Sequence, residues 1–385
     1  MKQILDKYAD KLVNSGLSDE GFPLIGGLDA ELIWNRKDPH TEELAKVFDK
    51  LNINSLLYSK PAEPYYSIIE YLITQAEDTI YPNDCETRTF MHDIPVIRSF
   101  NAEQIADRLK QRKSVIIEGY GIVTWGTVSP EQAFIFYSSV CFACFVKFFC
   151  DYLYSLRYGS VSIGYKKVFE KVIQKLDVFT REPLSLMQAP FHTEEDVYKA
   201  ICEAGRLTVE YRLVDSFFGN VSYLYHDCLY ISQTTSSLDE LEGHIDPCPM
   251  DDSSCSSITA SSEFIAHREI VKSPGINGVL HGHPKFSVII SMFCDKQNCE
   301  LEGRCHIECN EKRFIRDIPI VPGEVGTGPT GLCNTLPPAM KNRRGVIVYG
   351  HGIFTVAKND FNEAFANLLD IERMCKDRYF QMVAS

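Results

Sequence analysis

The chain has 385 residues, of which 45% are hydrophobic, and a formal net charge of −13 at pH 7. This length is enough for two domains of ordinary size, and the sequence predicts that no apolar run reaches membrane-spanning length. The acidic balance argues against a nucleic-acid partner, because binding to phosphates needs a basic surface.

The first predicted element is an amphipathic helix that starts within Met1–Lys7. This start does not have the pattern of a signal peptide, so we expect a cytoplasmic protein. In that compartment the fourteen cysteines are expected to be reduced thiols or metal ligands rather than disulfides.

An internal repeat organises the rest of the chain. Three pairs of segments match in the same order, and the longest pair has six identities in sixteen positions without a gap. The pairs are Ile53–Pro61 with Ile276–Pro284, Phe90–Pro95 with Phe314–Pro319, and Gly119–Phe134 with Gly350–Phe365. The repeat predicts two related domains, residues 1–165 and 191–385, joined by a helical linker over residues 166–190.

Both copies alternate apolar β-branched runs with longer periodic stretches. Ser114–Ile117 and Val346–Val348 predict strands, and Asn362–Phe380 predicts an amphipathic helix. Helices around a strand-rich middle favour a three-layer α/β/α domain. Asp239–Ser262 is rich in Ser, Asp, Pro and Cys and has no periodicity, so it predicts a mobile loop.

The second copy contains a histidine pattern that is typical of metal sites. In Gly278–Pro284 the side chains of His281 and His283 point to the same face of an extended strand. His351 lies between two glycines after the apolar run Val346–Val348. Three neutral imidazoles with an open fourth position are typical of a catalytic zinc site. The alternative is three unrelated histidines that are packed or solvated.

The first copy has lost all three of these candidate ligands. Tyr58, Lys60 and Tyr120 stand at the positions of the three histidines. A lysine ammonium repels a cation. We therefore expect no metal ion at this place in the first domain.

Two further segments carry candidate binding residues. Ser261–His267 opens a helix with a serine pair and Glu263, which suits anion binding and proton transfer. The alternative is an ordinary helix cap. The stretch Phe218–Thr235 predicts a β-hairpin in which Gly219 and Asn220 permit close approach of a ligand, and the alternative there is a plain turn.

These motifs, in this order and spacing, resemble the class II aldolase/adducin family, which includes zinc-dependent fuculose and rhamnulose phosphate aldolases. The resemblance covers residues 195–385, and a degenerate copy covers residues 40–155. It implies two class II aldolase-like three-layer α/β/α domains, each with a central, mainly antiparallel sheet. It also implies that His281, His283 and His351 bind one divalent metal ion, with zinc as the first choice. Glu263 would be the acid/base. The anion contacts that the family implies are Gly219, Asn220, Thr234, Ser261 and Ser262.

The resemblance implies a metal-dependent lyase that acts on a hydroxy-carbonyl compound, with a sugar phosphate as the expected substrate. Aldol cleavage and decarboxylation, both through a metal-stabilised enediolate, stay open, and so does epimerisation of a sugar phosphate. The competing class is a non-catalytic binding or scaffold protein of the adducin type. Retention of three histidines and a glutamate at separated positions favours the enzyme, because a scaffold has no need of metal ligands.

One turn departs from the family pattern. The family's Thr-Pro-Thr-Gly turn reads Ser232–Thr235 here. A β-branched Thr235 in place of glycine makes close approach of the backbone to a phosphate harder. The metal ligands and Glu263 are therefore expected to follow the family more closely than the phosphate contacts do.

The resemblance further predicts an assembly. Family members are typically tetramers of single domains, with active sites between neighbouring subunits. We expect a homodimer whose four domains form a pseudo-tetrameric ring. In that ring the metal-free first domain would close the active site of a second domain.

A cysteine-rich segment has no counterpart in the family. Cys294, Cys299, Cys305 and Cys309 lie within sixteen residues, together with His306. Four clustered thiols can hold a structural zinc ion or an iron–sulfur cluster. Their spacing matches neither paired Cys-x2-Cys knuckles nor a ferredoxin run. A second zinc or an iron–sulfur cluster is therefore a secondary prediction, and reduced thiols without metal are the alternative.

Overall fold

The computed structural model describes residues 1–176, 185–215, 217–296 and 298–384. The chain forms two compact units, Met1–Val178 and Phe179–Ser385, which we call unit 1 and unit 2. Residues 177–184 of the predicted linker lie outside the described residues.

Unit 1 is a mixture of helices and strands. Its helices are α1 Lys2–Asn14, α2 Thr41–Phe48, α3 Tyr65–Gln75, α4 Cys85–Met91, α5 Ala102–Leu109, α6 Pro130–Arg157 and α7 Ile163–Ile173. Its strands are β1 Leu24–Leu28, β2 Leu32–Trp34, β3 Ser55–Ser59, β4 Thr79–Ile80, β5 Ile94–Ile97, β6 Ser114–Ile117 and β7 Gly121–Gly126. The predicted N-terminal helix and the predicted strand at β6 are confirmed.

Unit 2 has the same mixed character. Its helices are α8 Glu194–Glu210, α9 Phe264–Val271, α10 Lys285–Met292, α11 Leu332–Met340 and α12 Phe361–Ala384. Its strands are β8 Asn220–Tyr225, β9 Cys228–Ser232, β10 Ile245–Pro249, β11 Gly278–Gly282, β12 Arg313–Ile315, β13 Ile318–Val321, β14 Gly345–Val348 and β15 Gly352–Ala357. The predicted hairpin is confirmed as β8 and β9, which pair antiparallel.

Each unit is built on one sheet, and the two sheets have corresponding strand orders. The first runs β2-β1-β3-β7-β6-β5-β4, and the second runs β10-β9-β8-β11-β15-β14-β13-β12. Apart from the edge strand β10, every strand of the second sheet has a counterpart in the first. The described strands pair antiparallel, except for β5 with β6 and β13 with β14, which are parallel. The predicted mixed α/β class with mainly antiparallel sheets is confirmed.

The pairing register also agrees between the two sheets. In unit 1, Tyr58 of β3 stands opposite Val123 of β7. In unit 2, His281 of β11 stands opposite Phe354 of β15. These are the residues that the sequence repeat aligns with one another. Because a shift of one residue would turn every side chain to the other face of the sheet, the two units present equivalent positions to equivalent faces.

Helices cover both faces of the sheet in unit 2. Ile270 of α9 and Leu336 of α11 share a buried cluster with Phe354 on one face. The next strand residue, Thr355, points to the opposite face, where its Oγ1 donates to the carbonyl of Ala364 in α12 at 2.9 Å. The sheet therefore lies between α9 and α11 on one side and α12 on the other.

Unit 1 repeats this layering with equivalent residues. Leu44 of α2 and Ile105 of α5 share a buried cluster with Val123. Thr124 points the other way and its Oγ1 donates to the carbonyl of Ala133 in α6 at 2.7 Å. Thr124 and Ala133 occupy the same places in the repeat as the threonine and alanine that join β15 to α12.

The long helix α6 corrects one expectation. By length and composition it qualifies as a membrane-crossing segment, so the prediction that no apolar run is long enough is wrong. Of its most apolar 18-residue window, 89% is buried inside the structure. Its side chains pack on β3, β7 and α3 of the same unit, so the apolar length is accounted for by the core.

The region predicted as a mobile loop, Asp239–Ser262, also differs from expectation. It contains β10 and a 3₁₀ turn, Ser256–Ile258. β10 pairs antiparallel with β9 at the edge of the sheet. Pro247 and Pro249 lack an N–H, which suppresses a strand signal in the sequence but is tolerated on an edge strand.

Candidate metal centre

The three candidate metal ligands come together where two neighbouring strands meet. His281 lies on β11, His283 follows it, and His351 lies in the turn between β14 and β15. Because β11 and β15 run antiparallel, the end of one strand lies beside the start of the other. One ligand nitrogen of each histidine lies within 4.8 Å of the others, and all three residues are buried.

Hydrogen bonding fixes the orientation of the first ring. The Nδ1 of His281 lies 2.9 Å from the carbonyl oxygen of Ile353, which can only accept, so Nδ1 carries the proton. Burial lowers the pKa of His281 to about 4, so the ring is neutral at pH 7. Its Nε2 therefore presents a lone pair, and it lies 2.8 Å from Nε2 of His283.

In the described residues, the ring of His283 lacks the hydrogen bond to a backbone carbonyl that orients the ring of His281. Burial lowers the pKa of His283 well below its usual value. Its ring stacks on that of Phe218, with centroids 5.4 Å apart. Its Nδ1 is buried and has no hydrogen-bond partner among the residues that the structure describes.

Glu263 brings a carboxylate to the same point. It precedes α9 and is 5% exposed. Its Oε1 lies 2.8 Å from Nε2 of His351, and its Oε2 lies 3.4 Å from Nε2 of His281. Burial opposes ionisation, but hydrogen bonds from the imidazole of His351 and the amide of Asn220 hold the pKa of Glu263 well below its usual value.

The residues predicted to contact an anion divide into two groups. Asn220 is buried and its Nδ2 donates to Oε2 of Glu263 at 2.7 Å. Ser261 is also buried, and its Oγ accepts from the backbone N–H of Glu263 at 3.3 Å. By contrast, the side chains of Thr234 and Ser262 are exposed. Of the five residues, Asn220 thus contacts the carboxylate of Glu263, and Ser261 contacts only its backbone.

Gly219 allows two backbone segments to lie close together and makes no side-chain contact. Its φ is +91°, in the region that favours glycine. A Cβ atom added there would lie 2.4 Å from the carbonyl oxygen of His281. Glycine is therefore needed for the β8 hairpin to approach the backbone of the metal-ligand strand.

Thr235 adopts a left-handed backbone conformation that favours glycine. Its φ is +61°, which costs an L-residue roughly 1–2 kcal/mol. Thr235→Gly should therefore raise the free energy of unfolding by up to about 1 kcal/mol, after the backbone entropy cost of about 0.5–1 kcal/mol for glycine. Urea denaturation measures this change. Thr234→Gly is the control, because Thr234 is an exposed neighbour with an ordinary φ, and this variant should lose stability. An equal loss of stability in both variants would show that the backbone of Thr235 is not strained.

The corresponding place in unit 1 is filled by aromatic rings. Tyr58 and Tyr120, at two of the ligand positions, both contact Phe100, with ring centroids 5.1 and 5.3 Å away. His40 stands where unit 2 has Glu263, and its ring lies 4.3 Å from that of Phe100. The third ligand position is Lys60, whose Nζ lies over the ring of Tyr66 at 4.1 Å.

His40 was missed by sequence reasoning although a signal existed. Extending the repeat upstream from Tyr58 and His281 at the same offset pairs His40 with Glu263. In the structure the ring of His40 is held by Asp38, whose Oδ1 accepts from Nδ1 at 2.8 Å. The position in unit 1 that corresponds to Glu263 is therefore part of an aromatic cluster.

His267 is buried beside the metal centre but serves a different purpose. Its Nδ1 lies 2.7 Å from Oγ of Ser222, and the residue is fully buried. Burial lowers the pKa of His267 to about 3, so it is neutral at pH 7. His267 belongs to the serine–glutamate motif Ser261–His267, but the motif predicts no role for it.

The cysteine-rich segment does not form a preorganised metal site in the described residues, which omit Gln297. There, the three histidines are the only group of three or more ligand side chains found within 4.8 Å of one another. Cys305 Sγ lies 3.6 Å from the carbonyl of Leu301, and Cys309 Sγ lies 3.6 Å from that of Glu311. Cys294 and Cys299 are partly buried. A second metal thus has no support from this arrangement.

A family model matches just under half of the chain. Residues 199–379 match the family model described as Class II Aldolase and Adducin N-terminal domain. No curated protein matches the chain. The matched segment contains the three histidines and Glu263.

Several solved structures resemble part of the chain at low identity. L-fuculose-1-phosphate aldolase from Thermus thermophilus is 19% identical, with a TM-score of 0.39, over 49% of this chain and 95% of that one. L-fuculose 1-phosphate aldolase from Glaciozyma antarctica is 15% identical, with a TM-score of 0.39, over 52% and 80%. Sugar-phosphate aldolase from Thermotoga maritima is 15% identical, with a TM-score of 0.36, over 49% and 96%. These similarities are too distant to assign an activity.

Proposed function

We propose that unit 2 is a metal-dependent lyase that acts on a hydroxy-carbonyl compound of the sugar-phosphate class. The observation that carries the proposal is the buried group of His281, His283 and His351 with the carboxylate of Glu263 in contact with it. A carboxylate beside three imidazoles is an arrangement for moving protons at a metal-bound substrate. The family-model match over residues 199–379 supports the same assignment.

The residues present fit a divalent metal ion, with zinc as the first choice. The pKa values of His281 and His283 are both lowered by burial, so each ring is neutral and can offer a lone pair. The hydrogen bond from Nδ1 of His281 to a backbone carbonyl is the outer contact that metal-binding histidines usually make. An ion bound by the three rings would supply a Lewis acid that polarises a substrate carbonyl and stabilises negative charge.

Glu263 is the group that we assign to proton transfer. With its pKa below the usual value it is a carboxylate at pH 7, which is the form that can accept a proton from a substrate hydroxyl or carbon. Asn220 holds Oε2 through a 2.7 Å hydrogen bond and so orients the carboxylate. Because Glu263 is 5% exposed, bulk water has little access to compete for the proton.

Unit 1 is proposed to be a duplicated copy without this chemistry. The shared strand order, the shared register and the equivalent threonine contacts support a duplication. Aromatic rings and a lysine occupy the places of the ligands, and His40 occupies the place of Glu263. One metal ion per chain, and not two, is therefore the expected content.

Metal analysis combined with proton exchange tests the proposed function. Protein purified without added metal should contain one divalent ion per chain by elemental analysis. A panel of ketose phosphates and matched unphosphorylated ketoses is then incubated in D2O and followed by NMR. We expect carbon-bound deuterium or cleavage products for a phosphorylated compound, and loss of both after chelation. Protein that binds no metal after reconstitution would instead support a scaffold.

A further inference from the structure

A buried carboxylate outside the metal centre holds the helix that follows the ligand strand. Glu372 of α12 is 2% exposed. Its two oxygens accept the backbone N–H groups of Phe286 and Ser287, each at 2.8 Å. Both N–H groups belong to the first turn of α10, which begins two residues after His283.

The helix α10 connects two of the three candidate ligand segments. Its start continues directly from His283 through Pro284. Near its end, Oγ of Ser291 accepts the backbone N–H of Gly350 at 2.8 Å. Gly350 directly precedes His351. A shift of α10 along or across its axis would therefore move two ligand-bearing segments together.

Unit 1 lacks three parts of this connection. At the offset that aligns α12 with α6, Glu372 corresponds to Cys141. At the offset that aligns β11 with β3, Ser287 corresponds to Pro64, which has no N–H, and Ser291 corresponds to Ile68. The carboxylate, one of its donors and the serine acceptor are present only in the unit that has the metal ligands.

The buried carboxylate of Glu372 is energetically costly, so its presence needs a reason. Burial raises the pKa of Glu372 to about 7 against the two backbone hydrogen bonds, so its ionised form is costly. A core cysteine fills the same place in unit 1, fully buried in α6. Unit 1 thus has the same layering with a smaller cysteine at this position, so the layering does not require a carboxylate there. The glutamate is therefore associated with features that only unit 2 has.

We propose that Glu372 is a positioning residue for the metal centre. It fixes the N-terminus of α10, and through α10 it sets the positions of His283 and of the turn that carries His351. It does not touch the ligands and acts only through the helix. The inference rests on the proposed metal site in unit 2.

The test compares metal binding in the full chain and in Glu372→Gln. Glutamine keeps the size of the side chain, but its amide NH2 faces one of the two N–H donors and cannot accept from it. Affinity for Co2+ is measured by competition with a chromophoric chelator, and the visible spectrum of the Co2+-loaded protein reports ligand geometry. Glu372→Gln should bind Co2+ up to about 10-fold more weakly, with an altered spectrum, because a residue that acts only through a helix should matter less than an outer contact to the ligand itself, whose loss costs about 10–100-fold.

A matched control separates positioning from stability. Asp84 in unit 1 is also a fully buried carboxylate that caps a helix, and its Oδ2 accepts the N–H of Thr87 in α4 at 2.8 Å. Asp84→Asn should lower the melting temperature and leave Co2+ affinity and spectrum unchanged. Wild-type affinity and spectrum in Glu372→Gln would overturn the inference and leave Glu372 as a helix cap.

A second variant covers the case in which Glu372→Gln does not fold. Ser291→Ala removes only the link from α10 to the N–H of Gly350 and should also weaken Co2+ binding and change the spectrum. Unchanged binding in this variant would count against coupling through α10. Wild-type protein that binds no Co2+ at all would overturn the proposed function itself, which is a different outcome from equal binding by wild type and variants.

Discussion

His281→Ala is expected to abolish metal binding and turnover together. His281 is fully buried, its Nε2 lies 2.8 Å from that of His283, and its Nδ1 is anchored to Ile353. Removing one of the three imidazoles leaves two, and the described residues contain no other group of three ligand side chains within 4.8 Å of one another. Turnover should fall by at least about 10³-fold, because a Lewis acid supplies several kcal/mol of transition-state stabilisation.

Thermal unfolding with and without metal gives a second readout for His281→Ala. A ligand that binds only the folded state stabilises it by about 2.7 kcal/mol when its free concentration is 100 times Kd. Wild type should therefore melt at a higher temperature in the presence of the ion, and His281→Ala should not respond.

The control for this variant is another fully buried histidine. His267→Ala also leaves a cavity and breaks a hydrogen bond, in this case to Ser222. It should lower the melting temperature but keep one metal ion per chain and the response to added metal. If His281→Ala retained a full equivalent of metal, the histidine triad would not be the binding site.

The sequence predicts those parts of the site that follow from local rules of side-chain direction. His281 and His283 share a face because side chains alternate along a strand. The internal repeat adds a comparison between the two units, because it shows which residues of unit 1 stand at the ligand positions, Tyr58 among them. The gathering of the histidines beside Glu263 follows once β11 and β15 are neighbours.

Other features depend on contacts between distant segments and leave no local pattern. β10 is hidden by prolines that only an edge position tolerates. Glu372 reaches the start of α10 from a helix far along the chain, and its carboxylate looks like any other on an amphipathic helix until the packing is known. The apolar length of α6 was missed because Lys147 and Asp151 interrupt its run of apolar residues, although the helix qualifies by length and composition as a membrane-crossing segment. The oligomeric ring stays a prediction.

Glu263→Gln is expected to separate metal binding from chemistry. The three histidines form the ligand group without the carboxylate, so the variant should keep one metal ion per chain. Glutamine matches glutamate in size and can still accept the hydrogen bond from Nδ2 of Asn220, but it cannot take up a proton. Turnover and deuterium exchange should both fall by about 10²–10⁴-fold, the usual contribution of a general acid or base.

A carboxylate on the same helix provides the control for Glu263→Gln. Glu269 lies one and a half turns further along α9 and pairs with Lys272 at 2.6 Å on the surface. Glu269→Gln makes the same chemical change in an open environment and should leave both metal content and turnover at wild-type values. Full exchange by metal-loaded Glu263→Gln would mean that another group moves the proton. Loss of both metal and exchange would mean that Glu263 helps to hold the ion, so the two measurements together assign its role.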